Sequence, residues 1–206
     1  MKRLVAAGNK IMITKDNLLQ CSVANFTAFG SKRFTMDELA STLGISKKTI
    51  YKFYNSKEDL VVDSVSFLVT DFEKTVSDII TKQQDPLVCI IEIYKHGFER
   101  LKHFKPSFIF GLKKYYPKAN QVFDAFRDNI VNNTIYGLLQ QAQQKEFISN
   151  DVNLNLFCEL YFNRFEEMAF KNNALFETYS NTELLNHFVI FNLKGISNKG
   201  YSNPYY

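Results

Sequence analysis

Between Thr35 and Lys57 the chain gathers side chains suited to one kind of chemistry, the gripping of phosphate oxygens and base edges. Lys47, Lys48, Lys52 and Lys57 bring ammonium groups, Thr35, Ser46 and Thr49 hydroxyls, and Tyr51 and Tyr54 phenols. No carboxylate interrupts the run from Ser46 to Lys57. A surface helix ordinarily mixes acids among its bases, so an acid-free row of donors is what a partner of a polyanion needs. The wider charge pattern points the same way. The 206 residues hold 25 Lys+Arg against 21 Asp+Glu, net +4, yet residues 1–57 hold 10 against 3, net +7, and residues 58–206 are net −3. A basic end on a mildly acidic protein most often meets nucleic acid.

Other chemistries find little support. Cys21, Cys89 and Cys158 form no CxxC pair, which argues against a zinc site or a disulfide scaffold and fits a reducing compartment. His96 and His103 lie seven apart but no Cys, Asp or Glu converges on them by spacing. There is no Walker loop, GxSxG or dinucleotide fingerprint. The chain is therefore not read as an enzyme: catalytic residues, a metal site and a cofactor are all expected to be absent. No run of eighteen apolar residues exists and the apolar stretch Leu4 to Ala7 is too short for a signal peptide, so no membrane partner is expected and the expected location is cytoplasmic.

The elements that must position the donors read as helices throughout. Leu18, Leu19, Ala24, Phe26 and Phe29 recur at helical spacing from Lys15 to Phe29, and Gly30 ends the run. Thr35 caps a short second helix with Met36, Leu39, Ala40 and Leu43 on one face, before Gly44. Ser46 caps a third, KKTIYKFY, with Ile50 and Phe53 turned inward and Lys47, Lys48, Thr49, Tyr51 and Lys52 outward. Asn55 and Ser56 break and cap again ahead of a long fourth helix ending before Pro86. Further helices are predicted from about Pro86 to His103, Pro106 to Tyr116, Lys118 to Lys145, Leu154 to Phe176 and Thr182 to Gly195, and the tail after Gly195 is expected to fray. The fold class is all-α with about nine helices: an N-terminal arm (1–14) expected to be poorly ordered, a helix-turn-helix head (15–62), a larger helical domain (63–197) and a C-terminal tail (198–206).

In GISKKTIYKFYNSKEDLVVDSV the chain closely resembles the TetR family of one-component bacterial transcriptional regulators, a likeness running from about Lys15 to Val65. The resemblance implies that Thr35 and Ser46 cap helices and touch phosphates, that Thr49, Tyr51, Tyr54 and Lys57 grip the DNA backbone, and that Lys47, Lys48 and Lys52 lie near the groove. Many members have Gly where this chain has Lys48. The resemblance also implies a homodimer on double-stranded operator DNA, probing two successive major grooves of a pseudo-palindrome, and a larger domain that holds a small-molecule effector. The expected function is a DNA-binding, ligand-responsive repressor released by a small apolar or aromatic molecule. An activator, a regulator answering to another protein, and a ligand-binding protein with a vestigial head stay open as alternatives.

For the effector site, 25 of the 31 Phe and Tyr lie beyond residue 57. Tyr94, Phe98, Phe108, Phe110, Tyr115, Phe123, Phe126, Tyr136, Phe157, Tyr161 and Phe165 are candidate pocket walls, suited to an apolar or cationic ligand. His96, Glu99, His103, Asn133 and Arg164 are candidates to orient it. For the dimer the resemblance implies that the last two long helices meet a second copy, with Phe165, Met168, Leu184, Leu185, Phe188 and Phe191 as the candidate residues, and the apolar character of the last helix around more than one face agrees.

Overall fold

The computed structural model describes residues 13–30, 35–104, 106–162 and 175–206. Ten helices account for the described chain, and no strand beyond an isolated antiparallel bridge between Ile148 and Ser197 occurs among the described residues. The head comprises α1 (Lys15–Phe29), α2 (Met36–Leu43) and α3 (Lys47–Ile50). α4 (Lys57–Lys82) follows, then α5 (Pro86–Leu101) and α6 (Pro106–Tyr115). α7 runs Pro117–Asn129, widens into a π segment at Ile130–Ile135 and continues as Tyr136–Gln144. α8 begins as Leu154–Phe157 and widens at Cys158–Phe162; α9 is Leu175–Thr178; α10 runs Asn181–Leu185, widens at Asn186–Ile190 and ends as Phe191–Ile196.

Local sequence explains most of the starts. Thr14, Thr35 and Ser180 each accept a hydrogen bond from the backbone three residues on, and the side chains of Asn17, Glu38 and Glu183 reach back to close capping boxes. Ser46 and Ser56 cap α3 and α4 in the simpler way. Asp85 accepts from the amides of Leu87 and Val88, with Pro86 at the first helical position, where its missing N–H costs nothing.

Two apolar clusters form the core, and α4 spans both. In the head, Leu18 and Phe26 of α1, Leu39 of α2 and Ile50 of α3 close on Leu60, Val61 and Val65 of α4. Phe108 and Leu112 of α6 and Ala119 of α7 join that same cluster, so a division after residue 62 lies along the chain rather than in space. In the body, Val76 of α4 packs with α5, α7, α8 and α10. At 1.5 Å per residue the 26 residues of α4 extend about 39 Å, long enough to tie the two clusters into one lever.

Three expectations are corrected. In α1 the buried set is Leu18, Ser22 and Phe26, spaced by four, which leaves Ala24 and Phe29 in solvent. Burying Ser22 is harmless, because its hydroxyl donates to the Leu18 carbonyl at 2.7 Å. The C-terminal tail does not fray. Tyr201 packs on Phe147 with ring centroids 4.6 Å apart and donates its hydroxyl to Asp85 at 2.9 Å, Tyr205 donates to Glu92, and Tyr206 meets Ser197 at 3.0 Å. Gly, Asn and Pro speak for looseness, but three phenols with both an apolar face and a partner for each hydroxyl outweigh them. The third helix is also shorter than its pattern, ending at Ile50.

Cys89 and Cys158 are buried and Cys21 is half-buried, all three as free thiols. Burial pushes the Cys89 and Cys158 thiols up to about 11, so almost no thiolate forms at neutral pH and both act as small hydrophobes. Among the described residues, no helix is long and apolar enough to cross a membrane, and no group of three or more His, Cys, Asp or Glu is placed to hold a metal.

Candidate DNA-binding face and interior cavity

Gly44 makes the face possible. It sits at φ 65° and ψ 30°, in the left-handed region where a side chain is disfavoured, and the amide of Ile45 closes the end of α2 on the Ala40 carbonyl at 2.9 Å. Nothing lies within 4 Å of a Cβ built there, so the turn's backbone conformation, not crowding, asks for glycine. Met36, Leu39 and Ala40 anchor α2, and Ile50 pins α3. What remains faces out.

Lys47, Lys48 and Lys52 are exposed, and Tyr51 is 44% exposed. Lys47 bonds Asp37 of α2 at 2.9 Å, and that carboxylate holds its ammonium above the ordinary lysine range. Lys47 is therefore a partly neutralised strut between α2 and α3. Lys48 and Lys52 make no ion pair among the described residues and carry the unbalanced charge of the face. Ser46 and Thr49 lie hydroxyl to hydroxyl at 2.9 Å beside them. The Thr35 hydroxyl donates to Glu38 at 3.0 Å and accepts from the Glu38 amide, so it is engaged in its own cap. Lys57 opens α4 with its ammonium 5.6 Å from the Tyr116 ring centre.

Tyr54 corrects the expectation of a backbone grip. It is only 4% exposed and belongs to the head core, with the Lys15 ammonium 5.0 Å above its ring and Lys15 itself paired to Asp63 at 2.8 Å. Burial pushes its phenol well up. Phe53, expected inward, is 37% exposed instead. Both reversals have one cause: regular helix stops at Ile50, and the turn through residues 51–53 swings Tyr54 to the inside.

A cavity of about 310 Å³ lies in the body between α4, α5, α6 and α7. Of the aromatics expected there, Tyr94, Phe98, Phe108, Phe123 and Phe126 line it. Phe110, Tyr115 and Tyr161 are exposed at 67%, 42% and 38%, Phe157 is buried in the body core, and Tyr136 packs against that core, so these five do not. Phe165 and Arg164 lie outside the described residues. Of the expected polar residues only His103 reaches the lining; His96, Glu99 and Asn133 do not, and His96 instead faces Glu99 at 3.4 Å. Sequence reasoning missed Phe72, Phe104, Phe162, Arg100 and Arg127. The signal was present for two of them: Arg100 and Phe104 continue the helical spacing of Ile93 and Gly97 along α5 and past its end. The π segments contribute Ile130, Val131 and Phe162 to the wall, a placement such widened turns often take at functional sites.

The expected dimer residues divide. Leu185 is buried at 7% and Phe188 turns its ring toward Tyr94 and Phe98, with centroids 6.5 and 6.4 Å away, so both serve the subunit's own core. Leu184 is half-buried against the same core, whereas Phe191 is 53% exposed. Phe165 and Met168 lie outside the described residues. The reason is spacing: Leu185, Val189 and Leu193 form an i, i+4, i+8 stripe that claims the inner face of α10 and leaves Phe191 on the outer one. On α8, Leu156 and Leu160 are likewise exposed, at 54% and 44%.

The profile described as "Bacterial regulatory proteins, tetR family" matches residues 18–63, the head and the first turns of α4. The chain is 27% identical over 168 residues to the uncharacterized HTH-type transcriptional regulator YvaF of Bacillus subtilis (strain 168), covering 80% of this chain and 86% of that one. Among solved structures, a TetR transcription regulator from Haloarcula marismortui ATCC 43049 aligns with a TM-score of 0.73 at 13% identity, over 89% of this chain and 97% of that one. The regulator FadR from Bacillus subtilis, in complex with stearoyl-CoA, aligns at 0.67 and 15% identity, over 87% and 98%. At such identities these two structures share the fold. Residues 18–63 thus match the model of the tetR family, and the chain as a whole is similar in fold to these solved regulators.

Proposed function

We propose that the protein is a ligand-responsive repressor that binds a pseudo-palindromic operator as a homodimer in the cytoplasm. The observation that carries this reading is the surface over α2 and α3, where Lys48, Lys52 and Tyr51 stand exposed and the acids of α2, Asp37 and Glu38, are already engaged by Lys47 and by the Thr35 cap. Lysines and hydroxyls hold phosphates, and α3 is short enough to enter a groove end-on. Leu156 and Leu160 of α8 and Phe191 of α10 form the dimer surface in this reading, and residues 15–62 and 63–197 are its DNA-binding and effector-binding parts.

The cavity supplies the response. Val65 of α4 and Phe108 of α6 line it and also belong to the head core, so a molecule that displaces either one moves the head's own packing. Gly30, at the end of α1, is sealed against Ser107 of α6: a Cβ there would lie 2.3 Å from the Ser107 hydroxyl oxygen. α6 therefore touches both cavity and head, and an effector that favours one placement of α6 biases the spacing of the two heads. That a fold neighbour was crystallised with stearoyl-CoA supports an occupied cavity here.

Selection of bound duplexes from a random pool tests the proposal. Enriched sequences are expected to contain an inverted repeat with half-sites about one helical turn, roughly 34–36 Å, apart. Enrichment of no common sequence, or of a single unrepeated half-site, contradicts it.

A further inference from the structure

The cavity wall is not uniformly apolar, and its exceptions share one sign. Arg100, His103 and Arg127 reach the lining, and among the described residues no carboxylate does. Arg100 is held rather than loose: its guanidinium lies over Phe72 at 5.2 Å, pairs with Asp71 and donates to the Thr75 hydroxyl at 2.8 Å, which fixes it between α5 and α4. Arg127 is steadied by Asp124 at 3.6 Å and Asp128 at 3.1 Å. These three carboxylates offset charge, but none of them lines the cavity.

Exposure divides the side chains of the wall into two kinds. The Arg100 and Arg127 side chains are 33% and 38% exposed, whereas Ile93, Phe98, Phe108 and Phe162 are at most 2% exposed. The wall thus combines a dry apolar lining with two part-exposed guanidinium groups. A wholly apolar ligand gains nothing from pre-placed guanidinium groups, and a cationic one is repelled by them. A planar fork fixed at the edge of an apolar site suits an acidic headgroup, which it can hold through paired charge-assisted hydrogen bonds.

Resting on the reading of this cavity as the effector site, we propose that its ligand is an anionic amphiphile, with an apolar chain inside and an acidic head against Arg100 and Arg127. The shared chemistry covers a free fatty acid and an acyl thioester of a phosphorylated carrier. It removes the cationic ligand that the aromatic walls alone left open.

The test uses the full chain and the neutral fluorophore N-phenyl-1-naphthylamine, displaced by dodecanoate, dodecanol, dodecyltrimethylammonium and dodecanoyl-CoA below their micelle concentrations. Dodecanoate or dodecanoyl-CoA is expected to displace the fluorophore at concentrations about tenfold or more below dodecanol, the advantage that charge-assisted hydrogen bonds confer, with the cation weakest. Whichever anion is tighter identifies the head. Arg100→Gln should erase that preference while leaving dodecanol unchanged, and Arg100→Lys should keep only the part that charge alone supplies, without the paired fork. Arg127→Gln carries the same expectation and covers the case in which losing the α4–α5 link impairs folding. Equal displacement by dodecanol and dodecanoate in the unaltered protein overturns the inference and leaves the effector cavity standing. Failure of the fluorophore itself to bind removes the cavity as an effector site, a separate outcome.

Discussion

Replacing Lys48 and Lys52 together with alanine is expected to lower affinity for operator and random duplex alike, by on the order of a hundredfold at physiological salt, without lowering thermal stability. The two lysines are exposed and make no ion pair among the described residues, so removing them breaks nothing in the subunit and stability should stay within about 0.5 kcal/mol. Every phosphate that is no longer neutralised makes the fall of log K with log salt shallower by about one, and two lysines on each of two heads account for about four. Lys47→Ala is the informative contrast. Its ammonium is tied to Asp37, so its loss frees an acid on the face as it removes a base. Gel retardation across a salt series with melting curves checks both variants; an unchanged salt slope for the double variant would remove α3 from the interface.

The second large effect concerns assembly. Phe191→Asp, and separately Leu160→Asp, should convert the protein to folded monomers with a mass near the 23.9 kDa of one chain rather than twice that, as read by light scattering. Both side chains are about half exposed in the subunit, so aspartate costs the fold little there, but an unpaired carboxylate sealed between two copies has no partner. Operator affinity should then fall by about 10²–10⁴-fold, because two tethered heads bind far more tightly than one alone. Leu185 and Phe188 would be poor choices for this test. They pack inside the subunit, and aspartate at either would harm folding before assembly could be read. Dimers that persist in both variants would place the interface elsewhere.

How much of the molecule is legible in its sequence follows from how local each cause is. Caps and turns are written in adjacent residues, so spacing alone places Thr35 with Glu38, Ser46, Ser56 and Gly44 correctly. The direction of Tyr54 is not legible. It depends on α3 stopping at Ile50, a break that no proline or glycine marks, and on Lys15 and Asp63 arriving from other helices to cover the ring. The tail misleads for a related reason: composition announces a flexible backbone, while Asp85, Glu92 and Ser197, the partners of its tyrosines, are brought near only by the fold. In the cavity, aromatic content marks the right region, but content alone does not separate Phe108, which lines it, from Phe110 in solvent two residues on; their spacing, about 200° around the helix, is the signal that does. Arg100 and Arg127 escape notice because a surface arginine and one held against a cavity by Asp71 or Asp128 look alike in sequence.

The most direct measurement is a salt titration of the unaltered protein against duplex carrying its selected site. With three to five phosphates neutralised by each head, log K should fall linearly with log salt at a slope of about −5 to −9. A slope near zero, or no complex even at low ionic strength, would contradict the assignment of the surface over α2 and α3 as the part of the molecule that meets DNA.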